Sequence, residues 1–233
     1  MRLDKFLCKS TDLNRAAATL CIELGEVSVN GCIVTEARFQ VHENNSIVWQ
    51  GERLVARPSR YIMLHKPLNT LSSNVDGDYP SLFHCIDIER AEDLHIVGRL
   101  DADTSGLVLL TDDGRWSFEI IRPDKQCPKT YRVMLRDPIA TDVAEKFSAG
   151  IQLQNEAKLT AAATLKVINE REVLLTITEG RYHQVKRMFA AVGNRVNGLH
   201  RETIGDLQLD LAVGDWRFLT AKEVANFMAA DLV

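Results

Sequence analysis

The chain has 233 residues, 45% of them hydrophobic and 26% charged, with a formal net charge of −4. That length suffices for one large domain or two smaller ones, each with its own core. No apolar run approaches the roughly 18 residues of a membrane span, the charged start MRLDKFLCKS is unlike a signal peptide, and the negative charge tells against a broadly basic nucleic-acid binder. A cytoplasmic protein is expected. Cys8, Cys21, Cys32, Cys85 and Cys127 are odd in number and form no CxxC pair, which reads as reduced thiols rather than a zinc site.

In chain order, MRLDKFLCK and NRAAATLCIELG give two short helical patterns. Leu3, Phe6 and Leu7 fall on one face of the first, and Ala17, Leu20, Cys21 and Leu24 on one face of the second. Gly25 is a C-terminal stop. VSVNG and IVTEARFQVHENNSIVWQG then alternate like short strands around an Asn-Gly turn. ARPSRY reads as a linker, with Pro58 as its breaker, so the expected division is 1–57 and 58–233. Residues 1–60 carry 8 Lys/Arg against 7 Asp/Glu, or +1, and the remainder 20 against 25, or −5. An RNA partner would therefore depend on a few placed cations.

From Tyr61 onward strands dominate: YIMLHKP, HIVG, GLVLLTDDG, KTYRVML, ATLKVI and EVLLTITEG. GRWSFEIIRP is a helix entered through Asp112 or Asp113 and stopped before Pro123, and another lies near Asp142–Ser148. RYHQVKRMFAAVG is an amphipathic helix, with Val185, Met188, Phe189 and Val192 at i, i+3, i+4 and i+7 and Gly193 at its end. Thr220 and Glu223 form a capping box for a final helix. Strands outnumber helices and pair locally, so the fold class is α+β: a small N-terminal module plus a larger mixed, mainly antiparallel domain.

The segment GRLDADTSGLVLLTDDG holds the most concentrated acidic chemistry. Asp101, Asp103, Ser105, Gly106 and Asp112 match positions of a calcium-binding loop. Position 12, however, is Asp rather than Glu, and the flank 108–111 reads as strand rather than helix. For Asp103, Asp112 and Asp113 the turn-capping role is preferred. Asp101 differs: it follows Arg99 by two residues in a turn that leads into a buried strand, where a scaffold can present it to a cleft. A carboxylate held near a guanidinium stays ionised and oriented, as a nucleophile requires.

This segment resembles the central motif of the pseudouridine synthases, in particular their small-subunit ribosomal RNA branch. CPKTYRV (127–133) is similar to the family's tyrosine motif, EGRYHQVKRMFAAVGNRV (179–196) to its basic helix, and GLHRETIG (198–205) to its leucine-arginine strand. RLDKFL, NRAA and GEVSVNGCIV are similar to an S4 RNA-binding module. The resemblance implies isomerisation of a uridine in 16S ribosomal RNA to pseudouridine, with no cofactor and no metal; a monomer is the default expectation. It implies Asp101 as the catalytic carboxylate, acting either at the sugar or on the uracil ring. The target base is flipped out of its stack. Tyr131 would stack on it and help remove the C5 proton, and Lys186 would pair with Asp101. Arg187 is placed to share that pairing or to touch phosphate, Arg99 to fill the gap left by the base or hold a phosphate, and Leu199 to wall the uracil. In the N-terminal module Arg2, Lys5, Lys9 and Arg15 would bind phosphate without reading sequence. His183 and His200 receive no role. The rivals are a large-subunit ribosomal RNA or tRNA uridine, and a non-catalytic RNA-binding or ribosome-assembly protein.

Overall fold

The structure, a computed structural model, describes residues 1–228; the end of the expected second domain lies outside them. The chain separates into two compact units, the first spanning Met1–Pro58 and the second beginning at Ser59.

In the first unit, α1 (Leu3–Ser10) and α2 (Arg15–Glu23) precede four short strands: β1 (Val27–Val29), β2 (Cys32–Ile33), β3 (Ile47–Trp49) and β4 (Glu52–Arg53). These form a sheet of order β2-β1-β3-β4. The Asn30-Gly31 pair turns β1 into β2 with φ of 51° and 83°, the left-handed geometry that this dipeptide favours. Leu3 and Leu7 are fully buried, as the α1 pattern requires. The face expected of α2 is not the buried one. Leu20 and Leu24 are 56% and 66% exposed, while Ala18 and Ile22 are fully buried. Asn14 caps α2 by accepting from the Ala17 amide at 2.9 Å, and the i, i+4 pair Ala18/Ile22 packs into the core of this unit.

The second unit is built on β5 (Tyr61–Lys66), β6 (His95–Val97), β7 (Thr104–Thr111), β8 (Lys129–Leu135), β9 (Thr164–Asn169), β10 (Glu172–Ile177), β11 (Val196–Ile204), β12 (Leu207–Gln208) and β13 (Trp216–Phe218). Its helices are α3 (Gly114–Ile121), α4 (Val143–Ala149), α5 (Gln184–Ala191) and α6 (Ala221–Met228). The sheet runs β13-β5-β7-β11-β8-β10-β9, with β6 beside β7 and β12 beside β11. Its pairings are antiparallel except that of β7 with β11. The fold is therefore α+β with a mainly antiparallel sheet.

Burial of both sheet faces explains the continuous apolar run in β7. Val108 and Leu110 join one core with Ile62, Leu64, Tyr131, Val133 and the α5 residues Val185, Met188 and Phe189. Leu107 and Leu109 join another with Met63, Trp116 and Ile120. Asp113 caps α3 by accepting from the Arg115 and Trp116 amides at 2.9 and 3.2 Å. Thr220 and Glu223 form the expected capping box on α6, with side-chain bonds to each other's amides of 2.7 and 3.3 Å.

The parallel β7–β11 pairing has one tight point. Gly106 lies opposite Arg201 with φ +115°, and a Cβ there would meet the Arg201 carbonyl oxygen at 2.3 Å. Backbone strain and overpacking add at such a site, so Gly106→Ala should lose about 3 kcal/mol or more of unfolding free energy. Urea unfolding measures this, and a variant within about 0.5 kcal/mol of wild type would show that the two strands are not packed so closely.

Candidate active site

The loop between β6 and β7, residues 98–103, carries Asp101 and is anchored at nearly every second residue. Ser72 Oγ donates to the Leu100 carbonyl at 2.8 Å and accepts from the Leu100 amide at 3.0 Å. The Asn69 amide donates to Ala102 O at 2.8 Å, and the Thr104 amide to Asp101 O at 3.1 Å. Beneath the loop, the fully buried Lys66 at the end of β5 donates from Nζ to Pro67 O and Thr104 O, each at 2.9 Å. Arg201 of β11, 1% exposed, donates to Leu107 O at 2.7 Å and to Gly98 O at 3.2 Å. A loop held this way presents a side chain with little positional freedom.

Lys186, on the first turn of α5, meets that side chain. Its Nζ donates to Asp101 Oδ2 at 2.8 Å and to Asp103 Oδ1 at 2.6 Å. Asp103 was expected to cap a turn; instead it shares this ammonium. Burial pulls the Lys186 amine down, but the two carboxylates outweigh it and raise its pKa. Burial likewise pushes the Asp103 carboxyl up, but the Lys186 hydrogen bond and charge hold it below its ordinary value. His183 supplies a second neighbour, with Nε2 3.4 Å from Asp101 Oδ1. The partners of Asp101 are thus Lys186 and His183; Arg99 is exposed nearby in the chain.

Helix α5 presents these groups because its other face is apolar. Val185, Met188 and Phe189 are buried, which turns Lys186 toward the loop. The turn before it is braced through Glu179, which accepts from Arg181 Nε at 3.2 Å and from Gln184 Nε2 at 2.8 Å. Arg181 also donates to Lys158 O and Leu159 O at 2.9 and 2.6 Å. This brace holds His183 at φ +49°, a left-handed conformation that costs an L-residue about 1–2 kcal/mol. Arg187 is committed to the same region, donating to Glu156 Oε1 at 2.9 Å, Tyr182 O at 3.1 Å and Gln154 O at 2.6 Å.

Tyr131 on β8 is 7% exposed. Arg201 Nη1 lies 3.4 Å from its hydroxyl, and the guanidinium carbon is 5.9 Å from its ring centroid. Arg201 therefore links Tyr131 to Gly98, where the Asp101 loop begins. Leu199, 8% exposed, joins the core that contains Tyr131 and Val185. His200 lies between these inward-facing residues on the other face of β11, its Nδ1 2.9 Å from Ser105 Oγ and its ring 5.1 Å from that of His65. Burial and the neighbouring His65 lower its pKa.

The remaining acidic residues of the segment are dispersed. Asp112 binds the Arg60 amide at 3.1 Å and Arg60 Nε at 2.8 Å, while Asp113 caps α3. Two of the calcium-loop carboxylates are thus held by Lys186 and a third by Arg60, and among the described residues no group of three or more His, Cys, Asp or Glu side chains is placed to hold a metal. In the first unit, Arg2 and Arg15 converge on the buried Asp4, with Nη2 of Arg2 at 2.5 Å and Nε of Arg15 at 3.4 Å. Lys5 is exposed and Lys9 half-buried on the same helix α1. Sequence reasoning missed Lys66, Ser72, Arg201 and the contact of His183. Two of these carried a signal: Lys66, a charge inside an apolar strand just before proline, and Arg201, the arginine of the leucine-arginine strand.

A single carboxylate, paired with an ammonium in an immobilised loop, suits nucleophilic attack better than acid–base exchange. The second carboxylate of the loop, Asp103, is taken up by the same ammonium. Residues 60–191 match the RNA pseudouridylate synthase family, and residues 1–47 match the S4 domain. The ribosomal small subunit pseudouridine synthase A of Vibrio cholerae is 50% identical over 228 residues, covering 97% of this chain and 99% of its own. The protein of that name from Escherichia coli strain K12 is 48% identical over 229 residues, with 97% and 99% covered. A crystal structure of a pseudouridylate synthase superposes with a TM-score of 0.72 at 44% identity, covering 97% of this chain and 99% of that one. The chain is an RNA-modifying isomerase. It belongs to the RNA pseudouridylate synthase family, in the form that carries an N-terminal S4 domain.

Lys66 offers a test of the buried electrostatics. Burial lowers its pKa to about 8, against the opposing pull of Asp101 and Asp103. Between about pH 8 and its unfolded value of 10.5, the unfolded chain retains a proton that the folded chain has released. Stability from this group therefore rises with pH across that window and is lost as pH falls through 8. Guanidinium unfolding at several pH values should show wild type gaining stability relative to Lys66→Met from pH 8 upward. Parallel profiles would mean that Lys66 is not desolvated.

Proposed function

We propose that the protein converts a uridine of small-subunit (16S) ribosomal RNA to pseudouridine, acting as a cytoplasmic monomer. The small-subunit assignment is supported by the names of relatives that are about half identical and nearly coextensive with this chain. No helix among the described residues is long and apolar enough to cross a membrane. The observation that carries the mechanism is the 2.8 Å contact of Lys186 with Asp101.

In the reaction the N1–C1′ bond breaks and a C5–C1′ bond forms. The C5 proton leaves and N1 takes one up, so no oxidant or co-reactant is consumed. Asp101 is the nucleophile, at the sugar or on the ring, and Lys186 holds and aims its carboxylate. The uridine must leave its stack to reach it. Tyr131 takes one face of the flipped uracil and assists removal of the C5 proton, with Arg201 orienting its hydroxyl. Leu199 forms an apolar wall, and Arg99, exposed at the loop, meets phosphate or the gap left by the base. Arg187 serves from behind by fixing the turn at the start of α5. Arg2, Lys5, Lys9 and Arg15 bind backbone phosphate in the first unit, which accounts for RNA affinity on a chain of net charge −4.

The experiment supplies 16S ribosomal RNA tritiated at uracil C5, free or in assembly intermediates, and follows label release. Wild type should release tritium, while Asp101→Asn should bind the RNA and fall by at least about 10⁴-fold in turnover, the scale of losing a nucleophile. Full turnover by Asp101→Asn would remove the carboxylate from the mechanism. Release from large-subunit RNA or tRNA alone would move the substrate assignment.

A further inference from the structure

Beside Asp101 stands an aromatic pair that the proposed chemistry does not use. The rings of Tyr182 and His183 are stacked, with centroids 3.8 Å apart and planes 20° from parallel. Tyr182 is 78% exposed, and His183 is the residue whose Nε2 lies 3.4 Å from the Asp101 carboxylate. One face of the tyrosine ring is covered by the imidazole, and the other is open to solvent at the edge of the catalytic loop. An exposed tyrosine is ordinary by itself. This one is backed by a second ring and fixed from below: Arg187 holds the Tyr182 carbonyl at 3.1 Å. The Arg181–Glu179–Gln184 brace fixes the residues on either side.

We propose that the Tyr182–His183 pair is a stacking platform for an unpaired nucleobase, namely a neighbour of the uridine that Asp101 attacks. The proposal rests on the reading of the site as a uridine-modifying centre and adds a second base-binding position to it. Flipping one nucleotide strips its neighbours of a stacking partner. A rigid aromatic face at the mouth of the cleft replaces that partner without ordering a mobile side chain first. Every base has a π-face, so the platform contributes affinity and placement of the strand while reading little sequence. The exposed face of Tyr182 would be the contact surface; His183 would set its angle and join it to the Asp101 loop.

Tyr182→Ala, Tyr182→Leu and Tyr182→Phe test this, the exposed position leaving folding intact. Two measurements are made: the dissociation constant for 16S ribosomal RNA, and KM and kcat for release of C5 tritium. Loss of one base–aromatic stack corresponds to about 5- to 100-fold in affinity. The Ala and Leu variants should weaken binding and raise KM by that factor, with the loss falling on KM rather than kcat, and Phe should restore what they lose. Unchanged affinity in Tyr182→Ala overturns the proposal, because an exposed ring that serves a protein contact or nothing gives that result. Full recovery by Leu also overturns it, since apolar contact alone would then suffice. If wild type releases no tritium, the uridine-modifying reading fails, and the binding measurement still decides whether the ring stacks on RNA.

Discussion

The site depends on one ammonium serving two carboxylates. Lys186 Nζ lies between Asp101 and Asp103, and the Asp101 side chain is only a third exposed. A carboxylate drawn partly out of water gains from a cation or donors placed against it. Sharing the ammonium fixes Asp101 in direction, since Asp103 holds Lys186 from the other side. It also leaves Asp101 Oδ1 turned toward His183, 3.4 Å from its Nε2. A nucleophile needs both properties: a maintained charge and a fixed aim.

The scaffold behind this pair is built on two cations that hydrogen-bond to neutral oxygens. Lys66 and Arg201 are both buried and donate to backbone carbonyls, Arg201 also to the Tyr131 hydroxyl. Lys66 ties the end of β5 to the start of β7 through the Thr104 carbonyl, and Arg201 ties β11 to β7 through Leu107 O and to the loop through Gly98 O. With a net charge of −4, the overall field is not what would recruit an RNA. Gly106 belongs to the same design, because only a residue without Cβ lets β7 approach Arg201 closely enough for its guanidinium to reach Leu107 and Gly98.

Much of this was legible because periodicity and turn chemistry are local. The α5 pattern placed Val185, Met188 and Phe189 inward and so placed Lys186 outward, and the motif order picked out Asp101 and Tyr131. The Thr220–Glu223 box and the Asn30-Gly31 turn were legible for the same reason. What was lost depends on partners distant in sequence. Asp103 resembles a turn cap until Lys186, far along the chain, reaches it. Ser72 has no pattern around it, and its role exists only through Leu100. Strand β13 is three residues beside a glycine turn, too short to show alternation. In α2 several small and apolar residues fit more than one helical face, and only the packing of the first unit selects Ala18 and Ile22.

The central claim is that Lys186 maintains the attacking carboxylate rather than binding RNA. Single-turnover tritium release by Lys186→Met at saturating protein measures it, with RNA affinity determined in parallel. The account predicts a rate lowered by about 100-fold or more at an affinity close to wild type. A wild-type rate with weakened affinity would contradict it and make Lys186 a phosphate contact.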